Sequence, residues 1–180
     1  MNTNSITLRS FSVADQEQIL DILTSNQVNR SYMLPDYKDR NDARPLFHRL
    51  MELSENRKHF VRCIDLNGIA IGFLNDVEIK NDIIELGYVI HPEYHNRGYM
   101  TEALSSAIKE LFKSGYTCVT CGAFDENRAS IRVMEKCGME QMKQTDTIEY
   151  RGMNHRCVYY QAVKREETSY EAAAHFQHWC

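Results

Sequence analysis

The segment from Glu85 to Leu104 constrains the fold of this 180-residue chain more than any other part of its sequence. It opens within an apolar run typical of a buried strand, over residues 83–90, and then turns through Pro92 and Gly98. Beyond the turn, apolar side chains recur at positions i, i+3, i+4 and i+7, which is the period of a helix with one buried face. The segment therefore predicts a strand, a tight connection and a helix over about 98–113 that packs back on the sheet.

Hydrophobic periodicity elsewhere predicts three more helices and a set of strands. Helices are expected at 13–23 after a Ser12–Asp15 capping box, at a start marked by Asn41 or Asp42, and at 127–136. Strands are expected at 6–11, 60–65, 69–74, 77–80, 83–90, 117–123, 146–150 and 154–163. The polar stretch 26–42 is expected to be a loop, and Pro45 is tolerated in the first turn of the second helix. We therefore expect one α/β domain over residues 1–165 and a tail of unassigned role over 166–180.

Charge and composition exclude several classes of protein. Twenty-one Lys and Arg stand against 25 Asp and Glu, which leaves a formal charge of −4. Nucleic-acid binding needs an excess of basic residues, so neither nucleic acid nor an acidic membrane surface is an expected partner. No apolar run approaches the ~20 residues of a membrane span, and residues 1–5 have no basic region that leads into an apolar stretch. The sequence therefore predicts a soluble, cytoplasmic protein.

Six cysteines are scattered through apolar segments, which predicts reduced core thiols rather than a disulfide framework. Cys118 and Cys121 form a C-x-x-C motif, but they fall in a predicted strand, where alternation points the two thiols to opposite faces. A redox C-x-x-C normally opens a helix, so redox or metal chemistry at this motif is the less favoured alternative.

Two groups of histidines raise the question of a metal site. His91 and His95 are four residues apart, but they fall in a turn and do not share a helix face. His175, His178 and Cys180 form a cluster in the tail whose spacing matches no common site and lacks a fourth ligand. We therefore predict no metal.

Gly98 lies where the predicted helix begins. A helix N-terminus leaves about four backbone amides unpaired and carries roughly half a positive charge, so it can bind a pyrophosphate. Gly98 would let phosphate oxygens approach the backbone closely, and Arg97 adds a cation. From the residues alone, an ordinary strand–helix connection with a capping glycine is an equal alternative.

Two motifs in this order and spacing resemble the GNAT superfamily of acetyl-CoA-dependent N-acetyltransferases, and within it the branch of ribosomal-protein N-terminal acetyltransferases. Where that branch has E-x-G-Y-x-I, H-P-x-Y, Q-x-x-G-x-A and T-E-A, this chain has ELGYVI from Glu85, HPEY from His91, HNRGYM from His95 and TEA from Thr101. Downstream, NRAS from Asn127 and EKCGM from Glu135 match N-x-x-S and E-K-x-G-F. The resemblance covers residues 6 to about 163 and implies a mixed, largely antiparallel sheet flanked by helices on both faces.

The resemblance implies direct transfer of an acetyl group from acetyl-CoA to a primary amine, with no covalent enzyme intermediate and no metal. It makes Glu85 the candidate general base, acting directly or through a water, and Ser130 the group that protonates or supports the departing thiolate. A carboxylate with a pKa near ~4.3 is a weak base for an amine unless burial raises that pKa. The alternatives are a surface carboxylate on a half-exposed strand for Glu85 and an ordinary first-turn hydroxyl for Ser130.

The implied contacts with acetyl-CoA form three groups. Backbone amides near Val89, Ile90 and His91 should polarise the thioester carbonyl, and Asn127 should hydrogen-bond the pantetheine arm, with Ser130 beside the thiolate. The phosphate loop comprises His95, Asn96, Arg97, Gly98, Tyr99, Met100 and Thr101.

Three positions depart from the family pattern. His95 replaces the usual Gln or Arg, and Met100 replaces a small residue of the phosphate loop. Met100 either turns its side chain onto the core face of the helix or points at the pyrophosphate, where it would weaken binding. Many relatives place a tyrosine general acid where this chain has Met134. Tyr88 and Tyr99 are other candidates for a general acid, but packing of the strand and the helix explains both residues equally well.

The acceptor amine is not identified by the sequence, because the segments where relatives bind it mix both charges. A protein N-terminal α-amine is the first expectation, and a small-molecule amine such as a polyamine or an aminoglycoside is the second. A non-catalytic acyl-CoA-binding module and a metal or redox protein are further alternatives. Many relatives dimerise, so a homodimer is one expected assembly, although no exposed apolar stretch marks an interface.

Overall fold

The computed structural model describes residues 5–35 and 37–165, so the histidine and cysteine cluster of the tail lies outside the described residues. Within that part of the chain, seven strands form one sheet in the order β1-β2-β3-β4-β5-β7-β6. The strands are β1 (Thr7–Arg9), β2 (Val61–Leu66), β3 (Ile69–Lys80), β4 (Ile83–Ile90), β5 (Cys118–Phe124), β6 (Glu140–Tyr150) and β7 (Met153–Val163). Neighbouring strands are antiparallel except β4 and β5, which run parallel.

Helices cover both faces of this sheet. They are α1 (Gln16–Leu23), α2 (Arg40–Glu55), α3 (Tyr99–Lys113) and α4 (Arg128–Lys136). Buried side chains of α1 and α2 pack with Cys63 and Phe73 of the sheet, whereas those of α3 and α4 pack with Ile64 and Leu74. Adjacent strand residues thus feed opposite cores, because side chains alternate across a strand. The predicted α/β architecture, with a mixed and largely antiparallel sheet between two helix layers, is confirmed.

The first two helices begin differently from the prediction. A 3-10 turn, Val13–Asp15, precedes α1, and the Asp15 carboxylate accepts the Ser12 N–H at 2.7 Å, which is the carboxylate half of the predicted capping box. The cap of α2 is Asp39, so neither Asn41 nor Asp42 caps it. Asp39 is the last residue with extended backbone before the helix. Its carboxylate accepts from the N–H groups of Asn41 and Asp42, at 2.7 and 3.1 Å. The earlier start places Pro45 beyond the first turn.

Two strands are longer than the sequence predicts. Residues 69–74 and 77–80 belong to one strand, β3, which stays paired with β4 across a bulge between Asp76 and Glu78. The bulge inserts Val77 as an extra residue and interrupts the alternation of side chains. β6 begins at Glu140 rather than at residue 146. It is an edge strand exposed along most of its length, so its first half carries no hydrophobic alternation.

The pairing of β4 with β5 positions the site. The two strands are in register at only three positions, from Ile83 opposite Cys118 to Glu85 opposite Thr120. Beyond these pairs β4 continues beside β3, and β5 continues beside β7. The two strands therefore separate after Glu85 and leave a notch in the middle of the sheet.

Candidate active site

A cleft of about 520 Å³ opens at the notch between β4 and β5. The second half of β4, the β4–α3 turn, the first turns of α3 and α4, and the segment around residues 27–32 all line it. Ten of the twelve residues expected to contact acetyl-CoA line this cleft, and His91 and Arg97 do not. The ten are Val89, Ile90, His95, Asn96, Gly98, Tyr99, Met100, Thr101, Asn127 and Ser130.

The backbone of β4 presents alternate amides to the notch. The His91 N–H donates to the Ile71 carbonyl at 2.8 Å, so this amide is already paired and does not serve as the expected carbonyl polariser. In an antiparallel ladder, successive residues point their N–H groups to opposite edges. The N–H groups of Val89 and His91 therefore point toward β3. Those of Tyr88 and Ile90 point into the notch. Nε2 of His95 lies 3.1 Å from the Ile90 carbonyl oxygen, which ties the turn to this edge of β4.

The turn before α3 has the geometry of an anion cradle. Asn96 and Gly98 both adopt positive φ angles, 59° and 83°, and such turns aim successive N–H groups at one point. Gly98 is the N-cap of α3 and supplies no side chain, so no cap accepts from the first amides of the helix. A β-carbon at Gly98 would meet nothing within 4 Å, so the protein itself leaves the space open. The residues present thus fit a pyrophosphate at this end of the helix.

Met100 does not obstruct this cradle. Its side chain is 7% exposed and belongs to the core between α3, α4 and the sheet. The first alternative from the sequence, that Met100 turns onto the core face of the helix, is therefore the one observed. Arg97 is exposed, and its guanidinium lies 5.8 Å from the ring centre of Tyr94.

The Glu85 carboxylate lies on the opposite face of the sheet, at the point where the strands separate. Ile84 and Leu86 point into the α3–α4 core, so Glu85 points toward the α1–α2 side. Burial raises the pKa of Glu85 above its usual range, and the negative charges of Glu78 and Asp146 act in the same direction against Lys80. A carboxylate in such a position is a better proton acceptor than one in water.

Two glycines border the notch on this face. A β-carbon at Gly122 would lie 2.9 Å from the Tyr159 ring and 3.5 Å from Oε1 of Glu85, and one at Gly87 would lie 3.2 Å from the Tyr32 hydroxyl. Tyr32 is held by Asn75, whose Oδ1 lies 2.6 Å from the phenol oxygen. The space over the two glycines is therefore taken by Tyr32 and Tyr159, which pack directly on the backbone of β4 and β5. Tyr32, Gly87 and Gly122 line the cleft, whereas Glu85 and Tyr159 are not among its lining residues.

The N-terminus of α4 brings three polar groups together on the α3–α4 side of the notch. Asn127 caps this helix, and its Oδ1 accepts the Ser130 N–H at 3.2 Å. The Tyr88 hydroxyl lies 2.7 Å from Oγ of Ser130 and 3.1 Å from the Ser130 carbonyl oxygen, so either oxygen can accept its proton. Tyr88 is thus a polar group of the site that packing arguments from the sequence passed over. The only available signal was its place on the notch edge of β4.

Comparison with known proteins identifies the family. The family model for the acetyltransferase (GNAT) domain matches residues 5–140. The chain belongs to the GNAT acetyltransferase family. It is therefore an acetyl-CoA-dependent N-acetyltransferase. Among curated relatives, the Bacillus subtilis protein YdaF, named as a ribosomal N-acetyltransferase, is 28% identical over 174 residues, which span 89% of this chain and 92% of the relative.

Solved structures share the GNAT fold. RimL, a ribosomal L7/L12 α-N-protein acetyltransferase in complex with coenzyme A, has a TM-score of 0.79 and 17% identity, with 89% of this chain and 95% of that chain covered. The spermidine N-acetyltransferase from Vibrio cholerae, in complex with CoA and spermine, has a TM-score of 0.74 and 15% identity, with 88% and 95% covered. At these identities the likeness concerns the fold.

Three further findings concern the described residues only. No group of three or more His, Cys, Asp or Glu in residues 5–35 and 37–165 could hold a metal ion. In the same ranges, no helix is both long and apolar enough to cross a membrane. The five cysteines in this part of the chain are all free thiols, and Cys63, Cys121 and Cys157 are buried.

Proposed function

We propose that this GNAT enzyme acetylates the α-amino group of a protein N-terminus. The observation that carries the proposal is the two-sided notch. An anion cradle and the Ser130 hydroxyl lie on the α3–α4 side, and the half-buried Glu85 carboxylate, whose pKa is raised, lies on the other. The kinship with YdaF, and the branch motifs around Glu85 and Asn127, favour a protein N-terminus as the acceptor.

The chain's own residues divide the chemistry between them. When bound, acetyl-CoA supplies an activated acetyl group as a thioester. The first amides of α3 and the turn at Gly98 hold its phosphates, and Asn127 holds the pantetheine arm. The Ile90 N–H, which points into the notch, polarises the thioester carbonyl and stabilises the negative charge that develops on its oxygen. Glu85 accepts the proton of the attacking ammonium group, directly or through a water.

We place the path of the amine on the Glu85 side of the notch, between Tyr32 and Tyr159, and call this path the slot. Two aromatic rings on either side of this path favour an acceptor whose first residue is small, such as Gly, Ala or Ser. Aromatic walls attract an ammonium group, and the Glu85 carboxylate adds a charge of opposite sign. These groups select for a cationic amine but do not require a second positive charge.

A small-molecule polyamine is a second candidate acceptor because negative charge surrounds the slot. Glu78 and Asp146 are close enough to Glu85 to raise its pKa, and Asp146 accepts a hydrogen bond from Tyr159. A polyamine carries additional ammonium groups that such carboxylates would attract.

Acetyl transfer to a panel of acceptors tests the proposal. The panel compares N-terminal peptides that begin with Ser, Ala, Gly and Ile, the same peptides blocked at the α-amine, spermidine and an aminoglycoside. We expect turnover of the peptides with small first residues and none of the blocked ones. Turnover confined to spermidine or the aminoglycoside would contradict the proposed acceptor and favour the second candidate.

Calorimetric titration with acetyl-CoA distinguishes an enzyme with a different acceptor from a protein that binds acetyl-CoA without catalysis. We expect saturable binding of acetyl-CoA and of free CoA, and none of ATP. A Kd of micromolar order corresponds to about −8 kcal/mol. Saturable binding without turnover of any amine would indicate a non-catalytic acyl-CoA-binding module.

We also propose a cytoplasmic location for the enzyme. Free thiols at all five described cysteines support a reducing compartment.

A further inference from the structure

The Tyr88 hydroxyl and the Ser130 hydroxyl form a pair in the wall of the cleft. Tyr88 comes from β4 and Ser130 from the first turn of α4, yet their oxygens are 2.7 Å apart, and both residues line the cleft. The ring of Tyr88 packs against the α3–α4 core. The pair therefore links the strand that borders the notch to the helix N-terminus that faces it.

Hydrogen-bond accounting gives this pair a direction. The single Tyr88 proton has two alternative acceptors on Ser130, the carbonyl oxygen at 3.1 Å and Oγ at 2.7 Å, and Oγ is the nearer of the two. Burial raises the pKa of Tyr88, so the phenol keeps its proton at neutral pH and acts as a donor. When Ser130 Oγ accepts from Tyr88, the Ser130 proton is free to point into the cleft. A thiolate there would favour this arrangement, because hydrogen bonds to charged acceptors are about twice as strong as neutral ones.

We propose that Tyr88 is a positioning residue that acts through Ser130: its hydroxyl donates to Ser130 Oγ and directs the Ser130 proton toward the departing sulfur. The inference rests on the proposed function, since it assigns a partner to the Ser130 role. As the carbon–sulfur bond breaks, its electron pair stays on sulfur, and the resulting thiolate accepts a hydrogen bond from Ser130. Tyr88 keeps its own proton throughout.

A double-mutant cycle of Tyr88→Phe and Ser130→Ala tests this role through kcat. We expect Ser130→Ala to lower kcat about 100-fold, as the loss of one preorganised donor does, and Tyr88→Phe to lower it about tenfold, since Ser130 stays but loses its orientation. In the Ser130→Ala background, Tyr88→Phe should then have no further effect. Equal factors in both backgrounds would overturn the proposal, because they would show that Tyr88 acts independently of Ser130.

Binding and stability measurements separate positioning from a structural role. Tyr88→Phe should leave the Kd for CoA unchanged, so its effect falls on kcat and not on cofactor affinity. The matched control is Tyr116→Phe, which removes a phenol from the same core but outside the cleft. If Tyr116→Phe lowers kcat as much as Tyr88→Phe, or if wild-type kcat survives in Tyr88→Phe, the assignment is wrong. A wild-type enzyme that binds acetyl-CoA and acetylates no amine would instead contradict the proposed function itself.

Discussion

Glu85 is the residue whose protonation should set the pH dependence of the reaction. Its pKa is raised by burial, and then by Glu78 and Asp146. Since a general base works only when deprotonated, we expect kcat/KM to fall on the acid side through a pKa above the ~4.3 of a free glutamate. Glu85→Gln should lower kcat about 100-fold or more and abolish this acidic limb. A variant that keeps the parent's rate and pH profile would contradict the assignment of the base.

The same raised pKa predicts a measurable effect of Glu85 on stability. Between the unfolded pKa and the higher folded pKa, the folded state binds more protons than the unfolded state, so stability falls as the pH rises through this window. Glu85→Gln removes the buried charge and should raise the thermal midpoint at pH 7, with the gain disappearing near pH 4. Glu140→Gln, at an exposed position on the edge strand β6, is the control and should leave the thermal midpoint unchanged at both pH 7 and pH 4. A Glu85→Gln gain of equal size at both pH values would exclude the buried charge as its cause.

At the scale of elements, the N-terminus of α3 is built for a ligand. Gly98 has a φ of 83°, and a β-carbon there would have no neighbour within 4 Å, so Gly98→Ala costs only backbone strain, about 1 kcal/mol. Gly115, beyond the other end of α3, has a φ of 104° and equally open surroundings, which makes Gly115→Ala a matched control. We expect similar losses of stability in both variants by thermal melting. Only Gly98→Ala should also weaken CoA binding, by about tenfold, in calorimetry.

Equal CoA affinity in the two variants would mean that phosphates do not approach Gly98. That result would remove the cradle from the site without affecting Glu85, because the two lie on different faces of the sheet.

The elements that the sequence predicted well are those that local patterns determine. The period of α3 and the glycine at its start depend on neighbours within a few positions, and the structure has the helix at Tyr99–Lys113. The early part of β6 could not be predicted in this way, because an exposed edge strand carries no hydrophobic alternation. The continuity of β3 was hidden for another reason. The bulge at Val77 interrupts the alternation while the hydrogen-bonded pairing with β4 continues.

The candidate site divides along the same line. The strand, turn and helix of the cradle are contiguous in sequence, so their residues could be grouped before the structure was known. Tyr32, Gly122 and Tyr159 come from three distant segments, and only the pairing of β5 with β7 and the return of the 27–32 segment over β4 bring them together. Nothing in the local sequence of each one indicates a shared slot.

At the scale of the whole molecule, one hydroxyl connects the far hairpin to the wall of the cleft. The Tyr150 hydroxyl, at the end of β6, donates to the Asn29 carbonyl at 2.9 Å and accepts from the Leu34 N–H at 3.3 Å and from Nε of Arg151 at 3.1 Å. These contacts hold the segment that carries Tyr32, whose ring walls the proposed slot. The acceptor side thus depends on a contact between residues more than a hundred positions apart.

Tyr150→Phe should therefore affect the acceptor and spare the cofactor. Loss of these hydrogen bonds costs about 1–3 kcal/mol, which for a chain of this size lowers the thermal midpoint by about 2–4 °C per kcal/mol. We expect KM for the acceptor peptide to rise several-fold while the Kd for CoA stays at the parent value, because the cradle lies on the other face of the sheet. Steady-state kinetics and calorimetry on one preparation measure both. A parallel loss of CoA affinity would show that the β6–β7 hairpin supports both sides of the notch. The prediction that the acceptor side and the cofactor side are independent would then be wrong.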